Sequence, residues 1–196
     1  MIWLIIAITL WGVTHSITAS LGFKGLLLRE LGSGFMRFYR LLYNAFSVIS
    51  FVPILYMMVA FPNQDLYQVP PPLSYVLLAG QGISVLLLFI AVLQTDTLSF
   101  VGVRQLVEEE KRGKMVTSGF YRLVRHPLYT FGLSILWLSP ALTVNSFIVY
   151  LGLTIYILVG IIFEERKLIR EFGEEYASYR RVTPMLVPGL RFGRNK

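Results

Sequence analysis

Two separated stretches hold residue types that could do chemistry together. The first is Val116-Thr117-Ser118-Gly119-Phe120-Tyr121-Arg122-Leu123-Val124-Arg125-His126-Pro127-Leu128-Tyr129. Gly119 offers a turn. Pro127 suits the first turn of a helix and pushes His126 towards extended backbone. Arg125 and His126 then sit just before a helix N-terminus, where free N–H groups and the helix dipole favour an anion. The second stretch opens with Glu164-Glu165 at the end of an apolar run. Carboxylates are disfavoured at a helix C-terminus and at a membrane edge, so at least one needs a cationic partner or a ligand with donors. Arg166 and Lys167 follow directly in sequence and so point elsewhere around a helix. Phe172, Tyr176 and Tyr179 recur at spacings of four and three, which makes one aromatic face of a helix lying on the bilayer or over a site. Each feature has a plainer reading: a basic interface cluster with Tyr129 as belt residue, a solvated acidic stop, a docked amphipathic tail. A third feature is His15, with Thr14, Ser16, Thr18 and Ser20 around it. An ionisable residue inside an apolar segment is a functional candidate, and a neutral histidine bridging two helices is the alternative. Asn44 reads as polar packing between helices.

Other chemistries lack their residues. Two histidines, no cysteine and no H-E-x-x-H leave no metal site. No G-x-G-x-x-G follows a strand, and there is no G-x-S-x-G and no P-loop.

The elements that must position these residues are membrane helices. Of the 196 residues, 55% are hydrophobic and 15% charged, and mean hydropathy is +0.64. So few charges could not cover a soluble core of this size. A spanning helix needs about 20 mostly apolar residues. Residues 1–21, 39–61 and 73–93 qualify, with a kink expected at Pro53. Residues 128–163 are long enough for two helices, read as a hairpin turning at 143–146. The expected fold is therefore an all-α membrane protein of about five transmembrane helices, the last two a hairpin, followed by a cytoplasmic C-terminal helix. It reads as a single domain over 1–196, with a three-helix part at 1–93 and the site-bearing part at 94–196. With five spans and the N-terminus outside, all 18 Lys and Arg fall on the cytoplasmic side, and Asp65 is the one charged side chain opposite. The basic pI near 9.8 thus reflects topology and anionic lipid, and nucleic acid is not an expected partner. The first apolar segment has no basic n-region, so it is expected to stay as a helix.

Taken together, the two stretches resemble integral-membrane methyltransferases, a superfamily that includes isoprenylcysteine carboxyl methyltransferase and the phospholipid methyltransferases. Arg125-His126-Pro127-Leu128-Tyr129 is similar to their R-H-P-x-Y signature. Glu164-Glu165 followed by Phe172-Gly173-Glu174-Glu175-Tyr176 and Tyr179 resembles their acidic pair and F-G-x-x-Y-x-x-Y tail. This covers roughly residues 114–188. His15-Ser16 with Ala19-Ser20, Tyr39-Arg40-Leu41 with Tyr43-Asn44, Phe100-Val101-Gly102-Val103-Arg104-Gln105 and the ending Tyr179–Pro188 are similar to the bacterial methanethiol S-methyltransferase, nurim-like branch.

The resemblance implies S-adenosylmethionine as methyl donor. It places Met115, Val116, Tyr121, His126, Pro127, Leu128, Tyr129 and Glu164 around it, with Glu165 as a further candidate. The implied acceptor is a small or lipophilic thiol. A thiol reacts as thiolate, so His126, Arg125 and His15 are the candidate catalytic groups. Prenylcysteine enzymes carry an arginine about one turn before the acidic pair. This chain has Val159-Gly160-Ile161-Ile162-Phe163 there, which speaks against a prenylcysteine carboxylate. Carboxyl methylation, an NADPH-dependent membrane reductase and a non-enzymatic nurim-like protein are the alternatives. Membrane lipid is the expected surroundings, in a bacterial inner membrane.

Overall fold

The computed structural model describes residues 1–107 and 115–190, apart from the Phe100 side chain. The basic residues Lys111, Arg112, Lys114, Arg191, Arg194 and Lys196 lie outside the described residues. The elements are helices α1 (Ile2–Ala19), α2 (Leu21–Ala60), α3 (Leu73–Leu93), α4 (Thr97–Val101), α5 (Arg104–Val107), α6 (Pro127–Trp137), α7 (Val144–Phe172) and α8 (Glu174–Val182). Two short strands, β1 (Asp65–Gln68) and β2 (Ala141–Thr143), pair with each other, and a single 3₁₀ turn covers Gly119–Arg122. Among the described residues four helices, α1, α2, α3 and α7, are long and apolar enough to cross a bilayer. The chain is an all-α integral membrane protein.

Local chemistry explains the boundaries. Ser20 ends α1 and caps α2, accepting a hydrogen bond from the Phe23 N–H at 3.2 Å. Helical dihedrals persist through Pro53, and α2 departs from them at Gly32, whose φ of 76° suits glycine. The fourth apolar arm is shorter than expected. Pro140 cannot join a helix without striking the carbonyl of Leu136, and it biases Ser139 to extended backbone, so α6 stops at Trp137 after 11 residues. The turn falls where expected. Thr143 Oγ1 accepts from the Ser146 N–H and Ser146 Oγ accepts from the Thr143 N–H, at 3.2 and 2.8 Å, a reciprocal cap that starts α7.

The chain divides into two compact units. One takes the described residues of 1–66, 96–112 and 143–153; the other takes those of 67–95, 113–142 and 154–196. In the first unit, Leu4, Ile8, Ile54 and Val149 form a buried cluster. A Cβ on Gly152 would lie 2.9 Å from Ile8 Cγ1, so glycine lets α7 approach α1 closely. In lipid such contacts hold by dispersion and interhelical hydrogen bonds, because leaving hydrocarbon gains nothing. The 69% and 80% exposure of Val48 and Val59 is that of lipid-facing side chains. Fully buried Asn145 ties the start of α7 to the end of α2. Its Nδ2 donates to the carbonyls of Met58, Phe61 and Pro62 at 3.3–3.4 Å, and its N–H donates to Asn63 Oδ1. Met1, Pro62, Asn63, Gln64 and Val144 also line one pocket, so these chain positions share one end of the unit.

In the second unit α3 packs along α6. Gln81 Nε2 donates to the Ile135 carbonyl at 2.6 Å, satisfying one of the oxygens that the end of α6 leaves open. At one end of α3 the Tyr67 hydroxyl donates to Ser139 O and the Val69 N–H to Pro140 O. At the other end Gln94 Oε1 accepts from the Phe120 N–H at 2.9 Å. The 120–140 segment therefore runs the length of α3.

Replacing Asn145 by Ala strands three carbonyls at the α2 end. The expected loss is about 1–3 kcal/mol, read as a lower unfolding midpoint in a mild detergent.

Candidate active site

The site lies within the second unit. It starts at Gly119, whose φ of 60° opens the 3₁₀ turn. A Cβ there would lie 2.4 Å from Gln94 Oε1, the atom that holds the Phe120 N–H. The chain then reaches His126, which takes extended-side dihedrals (φ −125°, ψ 64°) ahead of Pro127 at the first turn of α6. That segment is clamped by backbone pairing with the chain beyond α8. The Arg125 and His126 N–H groups donate to Pro184 O and Met185 O, and Thr130 Oγ1 donates to Leu186 O at 2.7 Å.

The two carboxylates of the acidic pair have different fates. Helix α7 runs on to Phe172, so both lie inside it, about 100° apart around its axis. Glu165 is buried. Its Oε1 accepts from Arg125 Nε at 2.7 Å and Nη2 at 2.6 Å, and stands 3.2 Å from His126 Nε2. Arg180 Nε stands 3.5 Å from Oε2. Arg125 is buried as well and spends Nη1 on the carbonyls of Thr183 and Arg180, at 2.5 and 3.3 Å. Glu164, in contrast, keeps 42% of its side chain exposed. Its Oε2 accepts from the Tyr129 hydroxyl at 3.0 Å and lies 3.8 Å from His126 Nδ1. His126 and Tyr129 stack with centroids 5.6 Å apart. One carboxylate is thus enclosed by cations, while the other faces out from an aromatic wall.

Helix α8 closes this arrangement. Gly173, at φ 58°, separates it from α7. Tyr179 donates to the Tyr121 carbonyl, and Tyr176 lies 2% exposed against Tyr179. The Tyr176 hydroxyl is a buried polar atom without a hydrogen-bond partner among the described residues. Burial, with the Glu164 charge adding to it, pushes Tyr121 up to about 12. Burial does the same for Tyr179, against the pull of Arg125. Tyr176 is raised further by burial, with Glu165 adding. All three phenols are neutral at physiological pH.

Of the residues singled out in sequence, Tyr121, Arg125, His126, Tyr129, Glu164 and Glu165 come together. Pro127 is buried and Leu128 half-buried at the start of α6; Met115 and Val116 are half-buried ahead of the 3₁₀ turn. His15 belongs to the first unit. Sequence reasoning did not single out Arg180 or the carbonyls of Thr183, Pro184, Met185 and Leu186. A backbone carbonyl has no side-chain signature. Arg180 could have been found as the residue after Tyr179 on the aromatic helix.

Glu165→Gln leaves Arg125 charged and buried without its counter-ion. It should lower stability by about 3–5 kcal/mol, measured by thermal unfolding of the detergent-solubilised protein. Raised phenol values in the folded state carry stability that is complete below the unfolded value near 10 and is lost as pH climbs through about 12. A spectrophotometric titration should show these tyrosines ionising last, together with unfolding.

The family model for NnrU protein matches residues 3–190. Several curated relatives are named methanethiol S-methyltransferase. That of Pseudomonas deceptionensis is 36% identical over 110 residues, 54% of this chain and 42% of the relative. Methanethiol S-methyltransferase 2 of Bradyrhizobium diazoefficiens is 51% identical over 70 residues, 36% of this chain and 27% of the relative. A third, from a Pseudomonas species, is 30% identical over 193 residues, 93% of this chain and 71% of the relative. The first matches thus span less than half the length of those relatives. No solved structure matches the chain. The match over nearly the whole sequence, with the relative aligned over 193 residues, makes the chain a member of the NnrU protein family.

Proposed function

We propose that the protein transfers a methyl group from S-adenosylmethionine to a small or lipophilic thiol, as the names of its relatives suggest for them. The observation that carries this reading is the division of the acidic pair. Arg125 and Arg180 neutralise Glu165, so Glu164 remains as a half-exposed acceptor beside two stacked rings. This donor set suits the cofactor. Glu164 accepts hydrogen bonds from its ammonium or ribose hydroxyls. The faces of Tyr129 and His126 suit a sulfonium, as aromatic faces suit cations generally. Met115, Val116, Tyr121, Pro127 and Leu128 are the further residues we assign to it, and the Tyr176 phenol offers a further donor. Arg125 and Glu165 act here as the frame that orients His126. When bound, the cofactor supplies an electrophilic methyl carbon. The protein's own part is to orient the reactants and exclude water.

We also infer five crossings in one membrane domain, with the N-terminus outside a bacterial inner membrane. Helix α6 rises about 16 Å and strand β2 adds about 10 Å, so this arm reaches most of the way across a hydrocarbon core of roughly 30 Å. The course of the 120–140 segment along α3 supports this reading, as does the shared position of Met1, Gln64 and Val144.

Calorimetry on the detergent-purified protein tests the cofactor. S-Adenosylmethionine and S-adenosylhomocysteine should bind, and NADPH should not. Glu164→Gln should weaken binding of both by about tenfold or more, a loss of about 1.4 kcal/mol, with little change in unfolding temperature. Binding of NADPH alone would make the protein a reductase, and unchanged affinity in Glu164→Gln would remove Glu164 from the site.

A further inference from the structure

Two guanidiniums face the single charge of Glu165, and they are used unequally. Arg125 grips Oε1 with Nε and Nη2 at 2.7 and 2.6 Å, and its Nη1 donates to the carbonyls of Arg180 and Thr183. This one cation balances the carboxylate and has its nitrogens committed. Arg180 brings only Nε near Oε2, at 3.5 Å, which is long for a hydrogen bond. Among the described residues its two terminal nitrogens meet no acceptor, and the side chain is 51% exposed. The next residue shows the contrast. Arg181 Nη2 donates to Glu174 Oε1 at 2.6 Å and to Ser178 Oγ at 2.7 Å. The open fork is therefore particular to Arg180 and is not a habit of α8.

The charges do not close locally. Arg125, Arg180 and Glu165 together carry one positive charge in excess. Glu164 carries one negative charge with no guanidinium on it, since it meets the Tyr129 hydroxyl and His126 Nδ1. His126 stands between the two glutamates, with Nδ1 towards Glu164 and Nε2 towards Glu165. One site thus offers a surplus anion on one side of the imidazole and, beyond Glu165, a surplus cation. Both are half-exposed, so a ligand can meet them without breaking the buried pair. The matching ligand carries an ammonium and a carboxylate a few bonds apart, as an α-amino acid does. A guanidinium fork fits a carboxylate through parallel N–H bonds, and a carboxylate side chain accepts from an ammonium.

We infer that Arg180 binds the α-carboxylate at the amino-acid end of the methyl donor, while Glu164 takes the ammonium beside it. The inference rests on the donor reading above and assigns one end of that molecule. Arg125, which precedes the helix start and would suit an anion by position, has no nitrogen left for it.

The test reads binding, not turnover. Three probes are titrated calorimetrically into the detergent-purified protein: S-adenosylhomocysteine, its decarboxylated analogue, which keeps the amine, and methylthioadenosine, which lacks both groups. Arg180→Gln should weaken S-adenosylhomocysteine by about tenfold, or about 1.4 kcal/mol. It should leave the other two probes unchanged, along with the unfolding midpoint, because Glu165 keeps Arg125. Glu164→Gln should weaken both amine-bearing probes and spare methylthioadenosine. Arg180→Lys, which keeps the charge without the fork, should lose about threefold on S-adenosylhomocysteine alone, and it carries the test if Arg180→Gln does not fold. Equal losses on S-adenosylhomocysteine and its decarboxylated analogue in the Arg180 variants, or no loss on either, would overturn the assignment of Arg180. A loss on methylthioadenosine in Glu164→Gln would put Glu164 on the ribose and overturn the paired seat. If the unaltered protein binds none of the three, the donor reading itself fails and takes this inference with it.

Discussion

The second unit is organised around the buried ion pair between Arg125 and Glu165. Neither group can be left alone in a low-dielectric setting, because an unpaired buried charge is far costlier than a paired one. The pair therefore dictates how close the α6 entry must come to α7. Its remaining hydrogen-bonding capacity draws in the rest. Arg125 reaches the carbonyls of Arg180 and Thr183 at the end of α8, and Glu165 reaches His126 and Arg180. The chain beyond α8 then runs back along residues 125–130 through backbone pairs at Pro184, Met185 and Leu186. Once this frame is set, Glu164, Tyr129 and His126 have little freedom in where they can be.

The bilayer explains why so much depends on so few polar contacts. Apolar side chains gain nothing by leaving lipid for protein, so they specify helix pairs weakly. Position is then specified by groups that must find a partner: Asn145 at the α2 end, Gln81 and Gln94 along α3, Ser47 and Tyr43 around His15. Small residues complete the arrangement where backbones approach. Gly152 meets Ile8, and Gly102, at φ 98°, lies against the backbone of Arg40 and Leu41.

Much of this was legible in the chain. The apolar runs gave the long helices, because a membrane span must be both long and uniformly hydrophobic. The turn at 143–146 was readable from Thr143, Asn145 and Ser146, residues that cap helices and interrupt apolar runs. The R-H-P-L-Y stretch and the acidic pair were readable as one site, because carboxylates at a membrane edge need partners. The length of α6 was less legible. Its apolar composition continues past Trp137, and only the steric reach of Pro140 ends the helix. In α2, Pro53 keeps helical dihedrals, and Gly32 is where the backbone departs from them.

The sequence by itself determined the membrane character, the helix-forming runs and the set of residues able to do chemistry, because these follow from composition and local sterics. Tertiary structure alone decided how the two glutamates divide their roles. They are adjacent and chemically identical in sequence, and nothing local tells them apart. A rotation of about 100° along α7 turns Glu165 towards Arg125 and leaves Glu164 half-exposed beside Tyr129. The same holds for the carbonyls of residues 183–186, which every sequence contains and only folding can aim.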